Sequence, residues 1–178
     1  MGTWNSRGLR GSVLEGYINF TNDYYRSHSI AMIQKIPTPI TPVEINKENS
    51  TITLAYFDKQ STVDYIGAAQ GIPVCFDAKE AAQNRLPLQN IHEHQIEFME
   101  DFVKQGGVSF LIVNFTSLNE FYLLPFEVLR LYWEKARSGG RKSIPYDAFE
   151  DTYKIALKND SFLNYLDIVN KYLEEYDY

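Results

Sequence analysis

Cysteine and histidine are scarce in this chain of 178 residues, and their scarcity excludes several classes of site. The single cysteine, Cys75, cannot form a disulfide within the chain, as expected for a protein of a reducing compartment. With only His28, His92 and His94 beside it, a structural zinc site is not expected. Cys75 has no basic neighbour in the sequence, so we interpret it as a small core residue and not as a nucleophile.

Long hydrophobic runs are also absent. No stretch approaches the roughly 18 to 20 apolar residues that cross a bilayer, so the sequence predicts neither a membrane span nor a membrane partner. The first ten residues lack the hydrophobic core of a signal peptide. The hydrophobic share of 44% in 178 residues is typical of a single globular domain, which we expect in the cytoplasm.

Basic residues are fewer than acidic ones, 17 against 23, and the formal net charge is −6. This balance argues against a protein that coats DNA without specificity, because such proteins carry a basic surface. Two short segments are locally basic and contain no acid, one before Ser12 and one from Lys135 to Lys142. They offer four candidate phosphate contacts, for which solvated surface charge is the alternative: Arg7, Arg10, Arg141 and Lys142.

The first predicted element is a helix from Ser12 to about His28. Ser12 and Glu15 have the spacing of a capping box, and Leu14 and Ile18 recur at helical spacing. The capping role is sufficient to explain Glu15.

Prolines separate the next two elements. Ile30–Ile36 is predicted to be a strand, and three prolines by position 42 end its pairing. Val43–Phe57 then contains β-favouring residues on both sides of a polar turn at residues 46–50, which predicts a hairpin. From the residues alone this is an ordinary surface hairpin.

The second half of the chain mixes helical and strand patterns. Residues 81–88 are expected to be a polar connection. The predicted helices span residues 90–104, 125–135, 146–157 and 161–175, and the predicted strands span residues 108–115 and 120–124. This order suits an α/β layer in which helices cover a mixed sheet.

Two carboxylates and one lysine are expected to meet at the end of one strand. Asp77 and Lys79, two residues apart at the end of a predicted strand, point to the same face. Asp64 precedes a segment whose Gly67 and Gly71 suit a turn, so a hairpin would return Asp64 to Asp77. Oxygen ligands in this arrangement suit a hard cation, with Mg²⁺ the default, that binds a phosphate. The alternative is a solvated, charged strand exit without function.

The spacing of Asp64, Asp77 and Lys79 resembles the PD-(D/E)xK nuclease motif. More specifically, the chain resembles the RecU family of Holliday junction resolvases. The segments that carry the resemblance occur in the family's order and span most of the chain: Arg7-Gly8, Lys35–Pro39, Ala55–Phe57, Ser61–Gly67, Phe76–Glu80, Pro87–Glu97 and Gly140–Ile144.

This resemblance implies an α/β, restriction endonuclease-like fold, with a mixed central β-sheet flanked by helices. It also implies that the hairpin is a protruding stalk, inserted at about residues 37–58, that enters the centre of a four-way junction. We therefore expect a flexible arm at residues 1–11 and a single nuclease domain at residues 12–178.

The resemblance further implies how the site is used. Mg²⁺, with Mn²⁺ as a possible substitute, would be held by four residues: Thr62, Asp64, Asp77 and Gln95. Lys79 would join Asp64 and Asp77 as the catalytic residues. Glu15 becomes a possible additional site acid, since many nucleases of this fold carry an acid on the first helix near the metal. His92 and His94 are expected at the surface or hydrogen-bonded, because positions i and i+2 of a helix do not face each other.

The activity implied is symmetric cleavage of four-way DNA junctions in recombination and repair, by a homodimer that places two equivalent sites on two strands. The recombinase is a further candidate partner. Two alternatives stay open: another structure-specific nuclease on the same fold, and a non-catalytic protein that binds DNA or modulates the recombinase.

Overall fold

The computed structural model describes residues 12–57 and 62–175. The predicted N-terminal arm, with Arg7 and Arg10, lies outside these residues. Within them, no helix is both long enough and apolar enough to cross a membrane.

A six-stranded mixed sheet forms the centre of the molecule. The chain has twelve strands in the described part, in the order β1 (Ala31–Lys35), β2 (Ile40–Asn46), β3 (Thr51–Phe57), β4 (Tyr65–Ala69), β5 (Ile72–Ala81), β6 (Arg85–Pro87), β7 (Val108–Phe115), β8 (Glu120–Pro125), β9 (Ser143–Pro145), β10 (Lys154–Ile155), β11 (Leu157–Lys158) and β12 (Phe162–Leu163). The central sheet has the order β1-β4-β5-β7-β8-β10. Only the β5–β7 pair of this sheet is parallel.

Four helices cover the two faces of this sheet: α1 (Val13–Ser27), α2 (Glu93–Lys104), α3 (Phe126–Arg137) and α4 (Tyr165–Glu175). On one face, α1 and α4 pack over Phe76 and Phe110. On the other face, α2 and α3 pack over Cys75 and Leu111. Alternate residues of β5 and β7 thus enter two separate cores. This architecture confirms the predicted α/β class with a mixed central sheet flanked by helices.

The hairpin of β2 and β3 forms a two-stranded sheet of its own. Most of its side chains are exposed, including large apolar ones such as Tyr56 at 58% and Phe57 at 77%. The strands and polar turn were predicted from the sequence, although β2 begins at Ile40, earlier than expected. The division into arm, domain and stalk insertion stays a prediction.

Two segments were predicted wrongly. The supposed polar connection at residues 81–88 contains β6, which pairs with β9, because the extended chain after Ser143 supplies backbone partners. Residues 146–157 do not form a helix. They form two short 3₁₀ turns and then β10, which pairs with the open edge of β8.

The last predicted helix is also shorter at its start. Residues 157–163 form a small hairpin, and α4 begins at Tyr165. Asn159 and Asp160 both have positive φ in its turn. Asparagine and aspartate tolerate that conformation better than most residues, which favours a turn at these positions over the predicted helix.

Candidate active site

The site is built on the hairpin of β4 and β5. Its turn contains Gln70 and Gly71 with φ of 50° and 88°, a conformation in which glycine carries no steric penalty. The antiparallel register pairs Tyr65 with Phe76. When this register is continued by one residue away from the turn, Asp64 lies opposite Asp77.

The two aspartates interact directly. The Asp64 backbone N–H donates to Asp77 Oδ1 at 3.2 Å, and the Ala78 N–H donates to Asp64 Oδ2 at 3.0 Å. Burial raises the pKa of Asp64 to about 7, and the hydrogen bond to Asp77 with its negative charge adds to the effect. The Ala78 N–H and the Lys79 ammonium lower the pKa less strongly. Near neutral pH Asp64 therefore holds a proton in part of the molecules.

Lys79 completes the group from the same strand. Its ammonium forms an ion pair with Asp77 Oδ2, and the two side chains are 16% and 1% exposed. Oδ2 is buried and accepts no hydrogen bond of regular geometry. Electrostatic attraction to Lys79 is thus its compensation, since a buried carboxylate without a partner is costly.

These features fit a hard divalent cation. Asp64 and Asp77 would hold such a cation once the proton that Asp64 partly retains has left, and the buried Oδ2 of Asp77 is available as one of the oxygen ligands. Across the part of the chain that the structure describes, no three His, Cys, Asp or Glu side chains cluster closely enough to hold a metal ion. The protein's acidic ligands would then be Asp64 and Asp77, with the remaining positions filled by amide, hydroxyl, carbonyl or water oxygens.

In the sequence, Thr62 comes before the segment from Asp64 to Lys79, and Gln95 comes after it. Thr62 is partly exposed and precedes β4. Gln95 is buried in the first turn of α2, the helix that packs on the Cys75 face of β5. Its side-chain Oε1 accepts a hydrogen bond from the His92 backbone N–H at 3.1 Å. This bond gives Gln95 a structural role beside its predicted one as a metal ligand.

Glu15 lies on α1, on the opposite face of the sheet. Its backbone N–H donates to Ser12 Oγ at 3.2 Å, which is one half of the predicted capping box, whereas its carboxylate pairs with Lys35. Burial raises the pKa of Tyr65, and the negative charges of Glu15, Asp64 and Asp77 raise it further. Its role as a site acid stays a prediction.

Comparison with known proteins supports one family. The family model "Recombination protein U" matches residues 9–171. The chain belongs to the RecU family.

Its relatives agree over most of their length. Proteins named Holliday junction resolvase RecU are 44% identical over 169 residues in Geobacillus sp. (92% of this chain, 84% of the relative) and 42% identical over 172 residues in Pediococcus pentosaceus (94% and 86%). The relative in Lactococcus lactis is 44% identical over 173 residues (94% and 80%). A structural match, the Holliday junction resolvase Hjc of Archaeoglobus fulgidus, has a TM-score of 0.37 and 10% identity, and covers 64% of this chain and 74% of Hjc.

His92 is exposed and His94 is partly exposed, as expected, but their side chains do meet in this RecU-family chain. The rings of His92 and His94 are stacked, with centroids 5.4 Å apart and planes 10° from parallel. The rule for positions i and i+2 did not apply, because His92 is the N-cap of α2 and has extended backbone angles.

Two of the four predicted phosphate contacts, Arg141 and Lys142, are described by the structure and lie beside the paired strands β6 and β9. Lys142 O accepts a hydrogen bond from the Leu88 N–H, and Arg141 Nε donates to Ser143 Oγ at 3.1 Å. Arg85 lies exposed on β6, in the segment that was expected to be a polar connection. Of these two strands, β6 follows β5 in the chain and contacts it, and β9 pairs with β6.

Proposed function

We propose that this RecU-family protein is a metal-dependent endonuclease that cuts four-way DNA junctions. The observation that carries the proposal is the buried Asp64–Asp77 pair with Lys79 beside it. Relatives at 42% and 44% identity are named Holliday junction resolvase, which supports the junction as the substrate. Mg²⁺ is the proposed ion and Mn²⁺ a substitute, since both accept oxygen ligands.

The chain's residues have separate tasks in this proposal. Asp64 and Asp77 would hold the cation, assisted by Thr62 and Gln95. When bound, such a cation polarises a phosphate and lowers the pKa of a water molecule. Lys79 stays next to Asp77 and stabilises negative charge that develops on the phosphate. A lysine suits this task because it is a compact charge that is not itself a metal ligand while protonated.

The protonation state of Asp64 also determines whether the site can bind a cation. Because its pKa is raised to about 7, it holds a proton in part of the molecules at neutral pH. Binding a cation requires that this proton leave. We expect metal affinity, and with it cleavage, to rise with pH through this range.

Junction recognition is proposed to come from residues around the site. Arg141 and Lys142, with Arg7 and Arg10 of the arm, would contact phosphates. The β2–β3 hairpin would enter the centre of the junction. A homodimer with two-fold symmetry would then cut two equivalent strands.

Cleavage assays on three substrates test the proposal. The parent protein and Asp77→Asn are incubated with Mg²⁺ and with a four-way junction, a duplex or a single strand of matched sequence. The proposal expects symmetric cuts in the junction by the parent alone. Equal cleavage of duplex would indicate a less selective nuclease, and junction binding without any cleavage would indicate a protein that only binds DNA or modulates the recombinase.

A further inference from the structure

A pocket of about 440 Å³ lies between the C-terminal half of α3, the 3₁₀ turn at Leu88–Asn90 and the segment that follows α3. Its volume is in the range of pockets that take small ligands. No carboxylate among the described residues lines it, although the chain carries a net charge of −6. The side chains that define its chemistry are one tryptophan, one amide and two cations: Trp133, Gln89, Arg137 and Lys142. We call it the Trp133 pocket.

The indole of Trp133 is available to a ligand. The side chain is partly exposed, and the rest of it packs against the core that contains Ile91. Within residues 12–57 and 62–175, its ring contacts no other aromatic ring and its N–H donates no hydrogen bond. A partly exposed aromatic ring of this kind is a group on which unstacked nucleobases stack.

The polar side chains of the pocket suit a nucleotide. Lys142 forms no ion pair in the part of the chain that the structure describes. Arg137 pairs with Glu93, which lies outside the pocket, but a guanidinium has five N–H donors and this pair leaves others free. Gln89 is exposed, and its amide offers both a donor and an acceptor to the edge of a base.

The groove on the other side of Trp133, between α2 and α3, has the opposite character. The carboxylates that line it are Glu93, Glu97, Glu100 and Glu134. Its two arginines, Arg130 and Arg137, already pair with these carboxylates. A DNA strand near α3 would be repelled by this groove and attracted by Lys142. Charge complementarity thus favours nucleic acid in the Trp133 pocket.

The wall of the pocket is continuous with the proposed active site. Leu88 and Ile91 belong to the same buried core as Cys75, on the strand that carries the proposed catalytic group. Gln95, proposed as a metal ligand, comes shortly after Ile91 in the first turn of α2. Lys142 is held against this wall, because its carbonyl oxygen accepts the Leu88 N–H at 3.1 Å. The pocket and the paired aspartates thus share one core and one short chain segment.

We propose that the Trp133 pocket binds one unpaired nucleobase of the junction, close to the cut. The base stacks on the indole of Trp133, Gln89 hydrogen-bonds to its edge, and Lys142 contacts its phosphate. An unpaired base enters such a pocket at lower cost than one that must leave a duplex. Because base pairs at the branch point have a stacking neighbour on one side only when the arms diverge, the pocket favours junctions over duplex. This inference rests on the proposed function and deepens it, since it names a residue that selects the substrate.

Photocrosslinking tests the contact directly. A four-way junction carries 5-iodouracil in place of one thymine, at successive positions near the branch point, and irradiation links this base to an aromatic side chain on which it stacks. The complex with the full-length protein is formed without divalent metal, and mass spectrometry identifies the linked residue. The expected result is a crosslink to Trp133 from a position next to the branch point, and none from the same sequence in a duplex. Crosslinks to other residues only, or equal yields from every position, would overturn the proposal.

Matched variants separate stacking from packing. Phe98→Ala is the control, since Phe98 is also a partly buried aromatic residue against the same core but does not line the pocket. Trp133→Ala should weaken junction binding about tenfold with little effect on duplex binding, and Trp133→Phe should stay within about twofold of the parent. Lys142→Ala should weaken binding of both substrates and lower the slope of log affinity against log salt by about one. Phe98→Ala should lose thermal stability and keep its junction affinity.

The remaining outcomes distinguish the pocket from the proposed activity. Equal losses of junction and duplex affinity in Trp133→Ala, or the same loss of junction affinity in Phe98→Ala, would show that the ring has only a structural role. A parent protein that cuts junctions in Mg²⁺ without a crosslink to Trp133 would refute the pocket and leave the proposed function intact. A crosslink to Trp133 without any cleavage would support the pocket and refute the nuclease. A parent protein that does not bind junctions would refute both.

Discussion

Asp64 and Asp77 face each other across the β4–β5 hairpin, each accepting a hydrogen bond from backbone of the other's strand. The Asp64 N–H binds the Asp77 carboxylate, and the Ala78 N–H binds the Asp64 carboxylate. Each carboxylate is thus oriented by the opposite strand before any cation binds. Such preorganisation lowers the cost of assembling the site when substrate arrives.

Asp77→Asn removes a proposed negative ligand with little change in side-chain size. Metal affinity should fall, and cleavage should fall by about a thousandfold, the effect of losing ~4 kcal/mol of transition-state stabilisation. Junction binding without metal should be retained. Isothermal titration with Mg²⁺ and single-turnover cleavage measure the two effects. Near-parental cleavage would show that Asp77 is not a ligand.

Lys79→Ala should abolish cleavage to a similar degree for a different reason. In the proposed mechanism the ammonium stabilises charge on the phosphate and does not ligate the metal, so Mg²⁺ affinity should stay the same or increase. Lys104→Ala is the matched control, since Lys104 forms only exposed ion pairs with Glu100 and Asp101. A parallel loss of metal affinity in Lys79→Ala would instead indicate that Lys79 supports the structure of the site.

The stability of the metal-free protein should depend on Asp64. Its pKa is raised from 3.8 to about 7 on folding, so between these values the folded state holds a proton that the unfolded state releases. The free energy of unfolding therefore falls as pH rises from about 4 to about 7. We expect a fall of about 2 kcal/mol, less than the full pKa shift implies, because the side chain retains partial solvent contact.

Asp64→Asn isolates this contribution. The free energy of unfolding of the variant should not fall over this pH range. The variant should therefore become more stable relative to the parent as pH rises. Urea unfolding at pH 4.5, 6 and 8 without metal provides the measurement. At pH 8, Mg²⁺ should stabilise the parent more than the variant, since only the parent keeps both carboxylates. A difference that is independent of pH would contradict the raised pKa.

Replacing residues 43–57 with a short Gly-Ser turn should abolish junction binding and leave the core folded. The reason is that the hairpin forms its own two-stranded sheet, with Tyr56 and Phe57 exposed. Binding of junction and duplex at equal salt, together with circular dichroism, tests this expectation. Unchanged junction affinity would show that the projection is an ordinary surface hairpin.

Much of the site could be predicted because its signals are local. Gly71 permits the turn of the β4–β5 hairpin, and the alternation of strand side chains puts Asp77 and Lys79 on one face. The apolar residues before Asp77 indicated that this carboxylate would lie at the edge of the core. The structure shows it almost fully buried.

The errors arose where contacts between distant segments, and not the local sequence pattern, decide the backbone conformation. Residues 154–155 follow a pattern compatible with a helix, yet they pair with β8, whose edge was available. The stacking of His92 and His94 depended on where α2 begins, because an N-cap residue has extended angles that bring its side chain beside that of residue i+2. Helix boundaries are the part of a sequence pattern that carries the least information.

The sequence by itself determined the hairpin that pairs Asp64 with Asp77 and the α/β order, because turn residues and side-chain alternation are properties of nearby positions. It also indicated the family, through motifs that occur in order along most of the chain. Only the tertiary structure decided the charge and attachments of the site. The raised pKa of Asp64 needs the burial supplied by the packed sheet, and the bond from Leu14 to Glu80 joins residues 66 positions apart. Both depend on packing between elements, since burial and long-range contacts arise only when the whole chain is folded.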